Sequence, residues 1–232
     1  YGVLGDGTLT NQNAPTPVGT GTDWATVSSG VYHTIAIKTD NSAQPPVGTL
    51  WAWGLNGYGQ LGYGISSDKT IPTQLIGTDW LVVTGTNLST IAAGNNHSVA
   101  IKADGTLWTW GLNDYGQLGD GTTNDREITT QVTSTTWSSV AAGEGYTVAL
   151  KTGGTIYSWG RNNYGQLGDQ TNIDKHLPTP VGTGTNWSAI AAGGKHTIGL
   201  KTDGTLWVWG DNANGQLGDG TLWKESPVQI GQ

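Results

Sequence analysis

The 232-residue chain has no cysteine, no methionine and no phenylalanine. Only 12% of its residues are charged, about half the usual ~25%. Without Cys there is no disulfide scaffold, no cysteine-ligated zinc or iron–sulfur centre and no thiol nucleophile. No apolar run approaches ~18 residues, which excludes a helical membrane span. Lys plus Arg number 10 against 17 Asp plus Glu, a net charge of -7. The basic residues stand singly (Lys38, Lys102, Lys151, Lys201), whereas a nucleic-acid binder needs a basic patch for phosphates. No nucleic-acid partner is therefore expected. The first residue is Tyr1, not Met, so a signal peptide upstream stays open. What the chain has in excess is Gly, 38 residues, and Trp, 12 residues. That many Trp excludes a disordered polar tract.

Internal repetition accounts for the excess. Trp53-Gly54 recurs as Trp110-Gly111, Trp159-Gly160 and Trp209-Gly210. Tyr58-Gly59-Gln60-Leu61-Gly62 recurs at Tyr115 and Tyr164, at Gly215 with Asn214 replacing Tyr, and opens the chain as Tyr1-Gly2-Val3-Leu4-Gly5. Two insertions, near Asn41–Val47 and Leu81–Leu88, explain the longer spacings. Once they are removed, each repeat is 49 or 50 residues long. Three repeat columns (Trp24/80/137/187, Trp51/108/207 with Tyr157, and Trp53/110/159/209) hold 11 of the 12 Trp, and only Trp223 falls outside.

Within a repeat, His196, Ile198 and Leu200 alternate with Thr197, Gly199 and Lys201, the period of a strand. One face is large and the other small, so another sheet can approach closely. Asp203-Gly204 and Asp104-Gly105 read as hairpin turns with both residues at positive φ. Thr205, Trp207 and Trp209 form a second alternating strand, Val140-Ala141-Ala142 looks like the end of a preceding one, and the stretch to Pro178-Thr179-Pro180-Val181 leads to a short outer one. No segment has amphipathic helix length. Repeated sheets of this size suggest the blades of a β-propeller.

The last full repeat carries Ala191-Ala192-Gly193 with His196-Thr197, then Asp203-Gly204, Trp207-Val208-Trp209-Gly210 and Gly215-Gln216-Leu217-Gly218. In that order these motifs resemble the regulator of chromosome condensation repeat family, over essentially the whole chain. The resemblance implies an all-β fold of antiparallel four-stranded blades, typically seven in the family. This chain holds about 4.3 units, with one module at both ends. A single repeat domain over 1–232 is expected, with repeats at about 1–54, 55–111, 112–160 and 161–210 and a half-repeat at 211–232. The expected ring is partial or open, four blades plus a half-repeat, completed by further repeats or by a partner chain.

Candidate chemistry is thin. His33, His97 and His196 share a column in which the third repeat has Tyr146. A hydrogen bond within each blade explains that better than a metal cluster. The Asp-Gly-Thr turns at Asp6, Asp120 and Asp219 lack the alternating carboxylates of a Ca²⁺ loop. No Gly-x-Ser-x-Gly nucleophile is present, and no carboxylate pair stands out from the repeats. The chain reads as non-catalytic, with no metal and no cofactor. Asn87, Asn96 and Asn186 begin glycosylation-type triplets, so glycan decoration stays open.

The repeats vary in two places. Between Gly and His/Tyr the pairs are Val31/Tyr32, Asn95/Asn96, Glu144/Gly145 and Gly194/Lys195. After Trp-Gly come Leu55–Gly57, Leu112–Asp114, Arg161–Asn163 and Asp211–Ala213. A fixed frame with variable loops is how propellers present binding surfaces. Tyr32, Asn95, Asn96, Glu144, Lys195, Asn56, Asp114, Arg161, Asp211 and Trp223 are the expected contacts to a protein partner or to other copies of the chain. Pro45-Pro46 stiffens the first insertion, and the second carries Leu81, Val82 and Val83, buried or sticky. The expected function is a binding or scaffolding module, extracellular or at a cell surface. Three other readings stay open: an inhibitor of a secreted hydrolase, a subunit of fibres or surface layers, and a nucleotide exchange factor. The acidic composition argues against the last.

Overall fold

The computed structural model describes residues 1–40, 47–64, 67–82, 89–133 and 135–231. Alternation of large and small residues produces antiparallel meanders in four sheets. Blade 1 contains β1 (Trp24–Ser29), β2 (His33–Asp40), β3 (Val47–Gly54) and β4 (Lys69–Gln74), with β5 (Trp80–Leu81) paired to β3. Blade 2 contains β6 (Ile91–Ala93), β7 (His97–Ile101), β8 (Leu107–Gly111) and β9 (Arg126–Thr133). Blade 3 runs through β10 (Trp137–Ala142), β11 (Tyr146–Lys151), β12 (Ile156–Gly160) and β13 (Lys175–Pro180). Blade 4 runs through β14 (Trp187–Ala192), β15 (His196–Lys201), β16 (Leu206–Asp211) and β17 (Trp223–Ile230). The sequence repeats and the sheets are offset. The sheets of blades 1, 3 and 4 begin at the first Trp column, while in blade 2 Trp80 of that column joins β5 and reaches β7's end only by an isolated bridge to Lys102, and residues 211–230 complete blade 4 instead of starting another. Pro72, Pro178 and Pro227 lie in the outermost strands, where a missing N–H blunts the edge.

The hairpins differ from the expected two-residue turn. Gly105 and Gly204 have positive φ, but Asp104 and Asp203 do not. Gly105 N–H donates to Lys102 O, and Lys102 N–H donates to Thr106 O. This is a three-residue loop, a type I turn closed by a left-handed glycine. Asp104 Oδ1 instead accepts from Thr106 N–H and Oγ1.

The cores lie between blades. Ile35, Ile37 and Leu50 of blade 1 pack with Ile91, Ala100 and Trp110 of blade 2. Val99, Ile101 and Leu107 meet Val140, Ala149 and Trp159 of blade 3. Val148, Leu150 and Ile156 meet Trp187 and Trp209 of blade 4. Large Trp thus fills the space left by Ala, and each sealed aliphatic side chain contributes about 1.5–3 kcal/mol. The inner strands β1, β6, β10 and β14 pack in succession, and the series is open at β1, where Val27 is 65% exposed while its counterparts Ile91 and Val140 are sealed.

Two devices fasten each blade to the next. The loop after the Trp-Gly strand of blades 1, 2 and 3 reaches over the following blade, where Trp110 Nε1 donates to Gln60 O, Trp159 Nε1 to Gln117 O and Thr197 Oγ1 to Gln166 O. A Cβ on Gly59 would lie 2.5 Å from Glu127 Cα, so only Gly allows this approach. The opening module does the same for blade 1, with Trp53 Nε1 donating to Val3 O. The second device is the histidine column. His33 Nε2 lies 2.9 Å from Ser98 Oγ, and His97 Nε2 lies 3.0 Å from Thr147 Oγ1. These bonds cross from blade to blade, not within one as expected, because the histidine face is the one turned toward the next sheet. Tyr146 substitutes in blade 3, its hydroxyl 3.1 Å from Thr197 Oγ1.

The scattered lysines prove to be another column. Lys38, Lys151 and Lys201 each lie over two aromatic rings of their own blade, and Lys102 lies over Trp108 of its own blade and Trp80 of β5, Lys201 Nζ being 3.8 Å from the Trp207 centroid. In the second insertion, Leu81 pairs with Val47, and Leu81 and Val82 are half-buried against the first two cores. Val83 and Pro45-Pro46 lie outside the described residues.

Candidate binding face at one end of the blades

In an antiparallel blade the turn from first to second strand and the loop after the third strand emerge at the same end. Backbone bonds join them: Leu55 N–H donates to Tyr32 O, Leu112 to Asn96 O, Arg161 to Gly145 O and Asp211 to Lys195 O. The two variable segments of each repeat therefore form one continuous surface. At its centre the Gly turns of all four blades converge around a cavity of about 260 Å³, with Val31, Asn95, Glu144 and Gly194 on its wall.

The rim is chemically uneven. Blades 1 and 2 present Tyr32 (46% exposed), Val31, Asn95 and Asn96, all uncharged. Tyr1 stacks edge-on against Tyr32 with ring centroids 5.6 Å apart. Blades 3 and 4 present a charge network: Glu144 lies 3.3 Å from Arg161 Nη1 and 3.7 Å from Lys195 Nζ. Arg161 lies over Tyr115 and Lys195 over Tyr164. Asp114 is exposed beside them. Glu144 N–H donates to Gly194 O, which ties the rims of blades 3 and 4 together. Tyr1, Tyr58, Tyr115 and Tyr164 were not among the expected contacts. As a repeat column broken only by Asn214 they read as frame, yet their rings lie on the variable surface.

Three expected contacts stand elsewhere. Asn56 is fully buried, and its Oδ1 accepts the Leu61 N–H. Its counterparts explain the burial: Asn113 accepts from Leu118 N–H and donates to Asp120 Oδ1, Thr122 O and Asn124 O. This residue holds its loop together and is out of a partner's reach. Asp211 is nearly buried and accepts from Ala213 N–H. Trp223, 52% exposed, pairs with Asp211 across β16 and β17. It stands where Asp68, Asp125 and Asp174 accept the backbone N–H of Asn56, Asn113 and Asn162, which is why it lies outside the Trp columns.

The histidines are electrostatically quiet. Burial pushes His33 down to about 4 and His97 to about 3. His196 is lowered by burial, opposed by the nearby Asp211 carboxylate. Among the described residues no group of three His, Asp or Glu could hold a metal ion. Among the described residues no helix is long and apolar enough to cross a membrane. Of the glycosylation-type triplets, Asn96 precedes two fully buried residues, His97 and Ser98, and Asn87 lies outside the described residues.

The sequence matches the RCC1-like domain family over residues 1–231. The chain belongs to this family. It is 34% identical over 102 residues to the ultraviolet-B receptor UVR8 of Arabidopsis thaliana, covering 44% of this chain and 20% of that protein. It is 36% identical over 106 residues to the human probable E3 ubiquitin-protein ligase HERC3, covering 46% and 9%. The matched stretches are thus a fifth or less of these relatives' length. Among solved structures, Prp20p of Saccharomyces cerevisiae, described with its binding to Gsp1p and histones, superposes with TM-score 0.79 at 22% identity, covering 95% of this chain and 54% of Prp20p. Human WBSCR16 superposes with TM-score 0.70 at 18% identity, covering 95% and 70%. These two likenesses concern the fold. The RCC1-like frame therefore accounts for the repeat columns.

Proposed function

We propose that this RCC1-like module is a non-catalytic protein-binding element, and that its partner sits on the rim around the axial cavity. The observation that carries the proposal is that both variable segments of every repeat meet on one surface while the column of Trp53, Trp110, Trp159 and Trp209 stays sealed. The rigid blades hold Tyr32, Asn95 and Glu144 in fixed relation, and Tyr contacts cost little side-chain entropy on binding. The cavity accepts a small protruding side chain or loop, and the charge network beside it selects for complementary polar groups. Protein binding is also the activity described for Prp20p, whose fold this chain shares. An extracellular or cell-surface setting is part of the proposal, supported by the Thr/Asn/Gly-rich, sparsely charged sequence without cysteine.

The test compares partner capture by the unaltered chain, by a rim variant (Tyr32→Ala with Glu144→Lys) and by a flank variant (Leu177→Asp on exposed β13). The reading predicts at least about tenfold weaker capture for the rim variant, as for loss of an anchoring contact, and unchanged capture for the flank variant. Loss confined to the flank variant would overturn it.

A further inference from the structure

Three residues depart from the repeat at one place, the outer cleft between blades 1 and 2. The first is Thr129 in β9. Register aligns it with Pro72, Pro178 and Pro227 of the other outermost strands. Proline has no N–H, so the ladder to the third strand needs none at this position, and the Thr129 N–H faces the open edge. β9 is the last strand of its sheet. On its outer side Tyr63 forms one antiparallel bridge to Ile128, and Gly64 N–H donates to Glu127 O at 2.8 Å. From Thr129 to Thr133 no further strand borders it among the described residues. This stretch is uncharged and rich in β-branched residues, the composition of an edge that accepts another strand.

The second departure is Tyr63, which stands where the other modules have Asp6, Asp120, Asp169 and Asp219. Each of those carboxylates binds a polar side chain further along its module. Asp6 accepts from Gln12 Nε2 at 3.0 Å and Asp120 from Arg126 Nε at 2.8 Å, while Asp169 and Asp219 pair with Lys175 and Lys224. Lys69 is the counterpart in blade 1, and among the described residues it has no ion pair. Its ammonium lies 5.9 Å from the Tyr63 ring centroid and 3.5 Å from Ser67 Oγ. The adjacent Asp68 carboxylate accepts the Asn56 N–H.

The third departure is Ile76, 99% exposed, where blade 3 has Gly182 after the matching Val181. Tyr63, Ile76 and Thr129 line one cleft of about 270 Å³ with Gly62, Leu75 and the exposed Ile128. The Tyr63 hydroxyl donates to Ala52 O at 2.9 Å, which holds the ring in place. The two walls are consecutive blades of this chain in direct contact, so no further blade could stand between them.

We propose that this cleft and the adjoining edge of β9 bind an extended segment of a partner protein that carries an aliphatic side chain beside a carboxylate. The segment adds a strand along Thr129–Thr133. Its aliphatic side chain fills the cleft, and its carboxylate reaches the Lys69 ammonium, supplying the acid that the counterparts of Lys69 find within the chain. The acidic group lies on the Lys69 side, since Glu127 flanks Ile128. This flank is separate from the rim, so the two sites bind independently.

The probe is a phage-displayed library of random heptapeptides, panned on the unaltered chain, with affinities of the selected peptides measured by fluorescence polarisation. The selected peptides should share an aliphatic residue next to Asp or Glu. Thr129→Pro restores the residue of the other repeats, and Ile76→Asp changes an exposed side chain, so neither should disturb the fold. Each of them, and Lys69→Glu, should weaken binding at least about tenfold. The rim variant, Tyr32→Ala with Glu144→Lys, should bind these peptides like the parent, which separates this site from the rim. A library that yields no binder overturns the proposal. So do selected peptides without an acidic residue, or affinities that Thr129→Pro and Ile76→Asp leave unchanged. Self-association of the unaltered chain that Thr129→Pro abolishes would assign the edge to a second copy and overturn it as well.

Discussion

Acidification from pH 7 to pH 5 should weaken the frame through two buried histidines. Ser98 Oγ donates its single hydrogen to Gln60 O at 2.8 Å, and Thr147 Oγ1 donates to Gln117 O at 2.9 Å. Each hydroxyl can then only accept from the imidazole, so His33 and His97 are neutral with the proton on Nε2. Their Nδ1 atoms are buried without a partner, and a proton added there would be an unsatisfied buried donor. Hence the folded values fall from 6.5 to about 4 for His33 and about 3 for His97. Because the folded values lie below the unfolded one, the stability is complete above about pH 6.5 and is lost as pH falls toward 4 and 3. At pH 5 linkage gives a loss of about 2 kcal/mol for each histidine, about 4 kcal/mol together, with about two protons taken up on unfolding. Denaturant unfolding at pH 7 and pH 5 measures this directly. In the double variant His33→Gln/His97→Gln, the amide can still donate to the hydroxyl, so this loss should disappear even if the variant starts less stable. A chain equally stable at both pH values would refute the reasoning, as would a double variant that keeps the full slope.

Other consequences are local. Asn113→Ala removes the acceptor of the Leu118 N–H and an amide whose two hydrogens are shared among Asp120 Oδ1, Thr122 O and Asn124 O, and should cost about 2–3 kcal/mol in denaturant unfolding. The exposed neighbour Asp114→Ala should stay within about 0.5 kcal/mol. In Gly94→Ala the new Cβ would lie 2.3 Å from His97 Cε1 and 2.7 Å from Gly143 O. A clear fall in Tm, equivalent to at least about 2 kcal/mol, is expected, whereas Gly153→Ala, whose Cβ meets nothing within 4 Å, should unfold like the parent. Lys201→Met should cost about 0.5–1 kcal/mol by loss of the cation over Trp207 and Trp187, measured by the same titration.

What the sequence disclosed was whatever repeats. The Trp, His and Gly columns mark strand faces and turns because each blade solves the same packing problem, and an alternating strand such as His196–Lys201 carries its orientation in its period. What stayed hidden depends on which blade meets which. The histidine bond was expected inside a blade, since no spacing says that His33 lies beside Ser98, 65 residues away. Asn56 looked like a free loop residue because its burial comes from a loop folding back on it, a feature invisible in composition. The lysines looked scattered because their partners, two aromatic rings each, are non-adjacent in sequence. The rim was half legible: variation singled out Tyr32, Asn95 and Glu144, while repetition concealed the tyrosines beside them.

The central claim, that the partner sits on the rim around the axial cavity, is tested most directly by a photo-crosslinking scan of the bound chain. A photoreactive residue at position 32, 95 or 144 should capture the partner, and one at position 136 or 177, on the far end and the outer flank, should not. Capture from 136 or 177 with none from 32, 95 and 144 would contradict the account.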